Sequence, residues 1–206
     1  MIPRDQKIYL ASKSPRRREL LRQIGVEFEV LMLRETAGRD GAVSEDPLPG
    51  ETPDAYVQRI ARLKALAGRD AMHLRKLLPR PVLAADTTVT IDGQILGKPR
   101  SADEALQMLR QFCGRTHEVL TAVAVIANDE LNEALSRSEV RFGDVDERAL
   151  RAYCASDEPL DKAGSYGVQG RAAQFISHIS GSYSGIMGLP LYETAALLNR
   201  ADINTL

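Results

Sequence analysis

Two cysteines in 206 residues, an aromatic content of 5% and a formal net charge of only −1 mark what this sequence is short of. Cys113 and Cys154 have neither the spacing of a metal site nor the density of a disulfide scaffold, so they read as reduced thiols of a cytoplasmic protein. A near-neutral total offers no basic field to hold a long nucleic acid, and few rings to stack on its bases. No stretch approaches the roughly 20 apolar residues that cross a bilayer. The opening segment Met1–Lys7 lacks the apolar core of a secretory signal. The expectation is therefore a cytoplasmic protein with neither nucleic-acid nor membrane partners. Repeats, heptads and low-complexity tracts are missing too. There is no Walker lysine pattern and no GxGxxG fingerprint. His73, His117 and His178 are scattered, without a Cys or acidic neighbour at a metal spacing. Ser14 has no evident histidine and acid partners, which argues against a serine-hydrolase triad.

What is present is ordinary for a globular chain: 44% hydrophobic and 27% charged residues, in a length that supports one substantial core. That length suits one domain with two lobes or two small domains. Ile8–Ala11 reads as a short strand. Ser14 at an N-cap and Pro15 at the first helical position predict a helix to about Ile24, stopped by Gly25. Val26–Leu33 reads as a second strand, and Arg34–Glu51 as a mobile loop. Thr52-Pro53 opens a helix that Gly68 is expected to end. Pro81–Ile91 is a strongly apolar strand, turned by Asp92-Gly93 into Gln94–Leu96. Ser101 caps a helix through about Phe112, with Glu104 placed for a capping box. Further strands are expected at Val119–Ala127, near Glu133–Phe142 and at Phe175–Ile179. Helices are expected at Asp146–Ala155 and after Pro190. Alternating strands and helices of this kind indicate an α/β protein.

Charge is unevenly spread. Residues 4 to 22 carry seven cations (Arg4, Lys7, Lys13, Arg16, Arg17, Arg18 and Arg22) against Asp5 and Glu19. A helix N-terminus normally favours acids in its first turn, yet this one holds Arg16, Arg17 and Arg18. Each works against the local dipole unless an anion uses the free N–H and guanidinium groups together. An exposed basic helix start is the plainer reading, and it suits Arg18 well. Asp86 is the second anomaly, an acid inside Val82–Val89. A buried carboxylate costs several kcal/mol unless it is paired or reaches a cleft. Lys98, in Leu96-Gly97-Lys98-Pro99, is the expected partner. Lys64 sits at the edge of an apolar helix face, as either a functional cation or a snorkelling side chain. Glu35 stands where the second strand gives way to the mobile loop; alone it reads as a surface acid, and paired with Asp86 it would suit Mg²⁺. Residues 157 to 170 form a glycine-rich loop in which Gln169 offers both a donor and an acceptor to one base edge. The segments around Gly181–Gly185 and Gly188–Leu191 have similar composition and read as walls of the same cleft.

Five blocks in order resemble the Maf family of nucleoside-triphosphate pyrophosphatases. They are Ala-Ser-Lys-Ser-Pro-Arg-Arg at 11 to 17, Ala-Asp-Thr-Thr-Val at 85 to 89, Leu-Gly-Lys-Pro at 96 to 99, Asp-Lys-Ala-Gly-Ser-Tyr-Gly-Val-Gln-Gly at 161 to 170, and Gly-Leu-Pro-Leu at 188 to 191. The resemblance runs from about Ile8 to Asn199. It implies a single ITPase-like α/β domain over residues 1 to 206, a two-lobed mixed-sheet architecture around a deep central cleft, and often a homodimer. It also implies a nucleoside triphosphate substrate and a divalent metal cofactor, Mg or Mn. By the same resemblance Asp86 is the proton acceptor, with Lys64 and Lys98 as cleft lysines. Ser14, Arg16 and Arg17 form the phosphate-binding motif, and Glu35 with Asp86 forms the metal side. The segment around Leu33-Arg34-Glu35 is about two residues shorter than the family's usual pattern.

Substrate choice in the family follows three positions, here Arg16, Thr87 and Gln169. Thr87 after the aspartate, together with Tyr166–Gly170, is similar to the branch acting on dTTP and UTP. Gln169 suits a ring with two carbonyls and one N–H. The rivals are an enzyme for modified purine nucleotides such as 7-methyl-GTP, and a nucleotide-binding cell-division regulator without turnover. The set of Asp86, Lys64 and Lys98 argues against the regulator, since a sensor needs no acid placed for water.

Overall fold

The computed structural model describes residues 6–33, 44–156 and 158–205. Its centre is a seven-stranded mixed sheet of β1 (Ile8–Leu10), β2 (Phe28–Val30), β3 (Val82–Ile91), β4 (Gln94–Leu96), β5 (Thr116–Ala127), β6 (Glu130–Phe142) and β7 (Ile176–Ser180). The order is β2-β1-β3-β5-β6-β7, with β4 paired to the outer part of β3. β1 is parallel to β2 and β3, and every later pairing is antiparallel. Among the described residues six α-helices flank the sheet: α1 (Pro15–Gln23), α2 (Pro53–Leu74), α3 (Ala102–Phe112), α4 (Glu147–Cys154), α5 (Tyr183–Met187) and α6 (Leu191–Arg200).

Local chemistry sets most boundaries. Ser14, Thr52 and Ser101 cap their helices by accepting the backbone N–H three residues on, and Asp146 accepts from Arg148. Glu104 closes only part of the predicted capping box. Its carboxylate accepts from the N–H of Arg100, one residue before the cap, because the Arg100 guanidinium pairs with it there. Both tight hairpins have two central residues at positive φ, Asp92-Gly93 and Asn128-Asp129, whose twist matches the flanking strands.

Gly68 does not end α2, which continues to Leu74. A Cβ at Gly68 would lie 2.7 Å from Val82 Cγ1 and 3.1 Å from Ala11 Cβ, so the glycine lets the helix press onto β1 and β3. The second strand is also shorter than Val26–Leu33: Phe28–Val30 lie in register with β1, and the backbone bonds of Glu27 and Leu31 close that pairing at either end.

The core divides along β3. On one face Ile8, Leu10, Leu83, Ala85 and Val123 pack with Leu20 and Leu21 of α1 and Leu197 and Leu198 of α6. On the other, Tyr9, Val82, Ala84 and Ala122 pack under Val57, Ala61 and Ala65 of α2. Beyond them, Val89, Ile91, Val119 and Phe142 join α3, α4 and Tyr166 in a third cluster. Asp86, Thr87 and Thr88 lie between these packed regions, a run of three polar residues in a mostly apolar strand. No helix among the described residues is long and apolar enough to cross a membrane.

Candidate active site

Successive residues of a strand point to opposite faces, so Asp86 and Thr87 reach different helices. Asp86 shares the α2 face with Val82 and Ala84. There the Lys64 ammonium donates to Asp86 Oδ1 at 2.7 Å and lies 2.8 Å from Glu45 Oε1. Lys64 reaches this point because it follows Ile60 and Ala61 by a helical turn, on the buried side of α2. Asp86 therefore pairs with Lys64, and not with Lys98 as the sequence suggested.

Glu45 was not among the sequence candidates. It belongs to a Pro- and Gly-rich stretch that reads as loop, and nothing in its own spacing marks it. α2 fixes it from below. Tyr56 donates its hydroxyl to the Glu45 carbonyl at 2.9 Å, and Arg59 donates to the Asp46 carbonyl while forking onto both oxygens of Glu51. That fork holds the Glu51 carboxyl well below the usual range, at about 2. Glu35, the acid expected on the metal side, lies outside the described residues.

Thr87 faces the other way, toward α1. Arg17 donates from Nε to the Gly188 carbonyl at 2.7 Å, from Nη1 to Ser12 Oγ at 3.2 Å and from Nη2 to Thr87 Oγ1 at 3.2 Å. Gly188 sits at φ 118°, a backbone conformation that side chains rarely adopt, so the turn that presents its carbonyl to Arg17 calls for glycine. Burial pushes the Arg17 pKa down, and the nearby Asp86 charge opposes that. Burial likewise pushes the Asp86 pKa up, against the charges of Lys64 and Arg17. A carboxylate moved in that direction is a better proton acceptor at neutral pH.

These groups line one cavity of about 750 Å³. Ser14, Arg16, Arg17, Lys64, Asp86, Thr87, Lys98 and Gln169 all reach its wall, so every predicted site residue within the described range converges there. Arg18 does not line it and donates instead to the Lys13 carbonyl. Ile186, Met187 and Gly188 line it, whereas Gly181–Gly185 do not. Lys13, from the cationic cluster, and Lys162 add cations that were not among the predicted site residues, and Arg16 stands 3.8 Å from Asp161 of the glycine-rich loop. Among the described residues the wall thus carries six cations (Lys13, Arg16, Arg17, Lys64, Lys98 and Lys162) against three acids (Glu45, Asp86 and Asp161), a balance suited to a polyanion.

Among the described residues no group of three or more His, Cys, Asp or Glu could hold a metal ion. Asp86 and Glu45 do present carboxylates to one shared cation, the Lys64 ammonium. Two carboxylates completed by water and phosphate oxygens suit Mg²⁺, which seldom takes an all-protein cage.

A family model described as "Maf-like protein" matches residues 7–201. Curated relatives match nearly end to end. The dTTP/UTP pyrophosphatase of Nitrosospira multiformis is 56% identical over 199 residues, covering 97% of this chain and 96% of that protein. The enzyme of the same name from Dechloromonas aromatica is 49% identical over 200 residues, covering 97% and 100%. That from Burkholderia orbicola is 57% identical over 198 residues, covering 95% and 93%.

Proposed function

The chain belongs to the Maf family, and from that premise we propose that it is a pyrophosphatase that hydrolyses dTTP and UTP to their monophosphates and pyrophosphate. The observation that carries this reading is the buried acid Asp86 set in a cavity whose described wall carries twice as many cations as acids.

In this reading Asp86 accepts a proton from a water molecule. The water oxygen bonds to the α-phosphorus, the bond from that phosphorus to the bridging oxygen breaks, and pyrophosphate leaves. Arg16 and Arg17 hold phosphate oxygens at the start of α1, where the free N–H groups of the first turn add to their charge. Lys64 and Lys98 stabilise charge that develops on the transferring and leaving groups, the effect that usually dominates phosphoryl chemistry. Mg or Mn, when bound, would neutralise triphosphate charge, with Asp86 and Glu45 as the ligands the geometry supports. Gln169, on the cavity wall, would read a pyrimidine ring with two carbonyls and one N–H. The two cysteines are free, which supports a reducing, cytoplasmic setting.

The test is pyrophosphate release by the wild-type protein across natural and modified triphosphates, with Mg²⁺ and with Mn²⁺. Preference for dTTP and UTP is expected. Preference for 7-methyl-GTP or another purine nucleotide, or no turnover at all, would refute the reading.

A further inference from the structure

Thr121 is a buried polar residue of β5 that none of the roles above uses. It lies directly opposite Thr87 in the β3–β5 register. Its Oγ1 is 3.0 Å from Thr87 Oγ1 and 2.8 Å from the Gly185 carbonyl oxygen. Thr87 Oγ1 in turn lies 3.2 Å from Arg17 Nη2.

The single Thr121 proton lies between two acceptors, Thr87 Oγ1 and the Gly185 carbonyl. Thr87 Oγ1 thus accepts from Thr121 on one side and from Arg17 on the other. A guanidinium only donates, so it needs a Thr87 lone pair aimed at it, and the contact with Thr121 holds the hydroxyl in that orientation. The same short helix anchors both ends, because Gly188, which accepts from Arg17 Nε, also donates its N–H to Gly185.

We infer that Thr121 is a positioning residue for Arg17: by its hydrogen bond to Thr87 Oγ1 it holds that oxygen as an acceptor and aims the guanidinium into the cavity. The inference rests on the proposed function in taking Arg17 as a phosphate-binding group. It also gives Thr87 a way to act on the nucleotide without touching a base, through the orientation of Arg17.

The experiment measures kcat and KM for dTTP in wild type, Thr121→Val, Thr121→Ser, Thr87→Val and the Thr121→Val/Thr87→Val double variant. Loss of one neutral hydrogen bond in the chain is expected to raise KM about five-fold in Thr121→Val, with kcat changed less than about two-fold. Thr121→Ser keeps the hydroxyl and should stay within about two-fold of wild type in both constants. Because both residues act on one guanidinium, the double variant should be no worse than the worse single one. An unchanged KM in Thr121→Val would overturn the inference, as would effects that multiply in the double variant or a serine variant as impaired as valine. Should Thr121→Val not fold, Thr121→Ala is measured in its place against the same expectations. A wild-type protein that turns over neither dTTP nor UTP would remove the proposed function and this inference together. Turnover with a silent Thr121→Val would remove the inference alone.

Discussion

On one face of β3 the Lys64 ammonium sits between the carboxylates of Asp86 and Glu45; on the other the Arg17 guanidinium is surrounded by neutral oxygens of Ser12, Thr87 and Gly188. Both cations are largely removed from water, so each carries a desolvation cost. Lys64 has that cost offset by two acids. Arg17 has no carboxylate partner within ion-pair distance among the described residues, and a weakly hydrated, planar group with five donors is the cation best able to tolerate this. The contrast assigns different work to adjacent residues of one strand. The Asp86 face sets one cation against two acids, and in the proposed reaction it activates water. The Thr87 face holds positive charge in reserve for an anion.

That contrast predicts opposite responses to loss of each cation. Lys64→Met would leave two acids close together and unpaired, costing about 3–5 kcal/mol of stability in denaturant unfolding. Arg17→Gln removes a charge that is compensated only by neutral acceptors, so its unfolding free energy should change by no more than about 1 kcal/mol. Added pyrophosphate should raise the melting temperature of wild type, since a ligand that binds only the folded state stabilises it, and should do so far less in Arg17→Gln. Equal destabilisation of the two variants, or an unchanged pyrophosphate shift in Arg17→Gln, would break the comparison.

A smaller effect comes from His117, a buried titratable group that lies outside the charged wall. It bonds the Tyr166 hydroxyl at 2.7 Å, stacks on Phe112, and is pushed by burial from 6.5 to about 3. The folded state therefore holds it neutral while the unfolded chain can protonate it below pH 6.5. Stability it confers is present above that pH and is lost as pH falls toward about 3. Between pH 6 and 4 the loss from this group is on the order of 1 kcal/mol per pH unit. His117→Phe should flatten that part of the stability profile. A profile of unchanged slope would show that His117 is not held neutral.

Much of the frame was legible because it is written in local chemistry. Ser14-Pro15, Thr52-Pro53, Ser101 and Asp146 announce their helices through side chains that satisfy the first free N–H groups, and the apolar run of β3 announces a central strand. The errors arise where a residue answers to a distant neighbour. Gly68 reads as a stop, but its missing Cβ serves Val82 and Ala11 across the helix–sheet contact. Asp86 was expected to pair with Lys98, near in sequence along the following hairpin, and it pairs with Lys64 because the strand face it shares with Ala84 is covered by α2. α5 is only five residues long, too short to show a helical period. In the site, the cationic helix start could be read from its conflict with the helix dipole. Glu45 could not, because its placement depends on Tyr56 and Arg59 from another element. Thr121 was hidden for a similar reason. A threonine within a strand is unremarkable until its register partner is known.

The central claim is that Asp86 takes the proton of the attacking water. Its most direct test is the single-turnover rate of dTTP hydrolysis by Asp86→Asn, compared with wild type at equal, saturating metal and with melting curves for both. A fall of about 10²–10⁴-fold, the usual range for losing a general base, is expected in a variant that remains folded. A folded Asp86→Asn protein that releases pyrophosphate near the wild-type rate would contradict it.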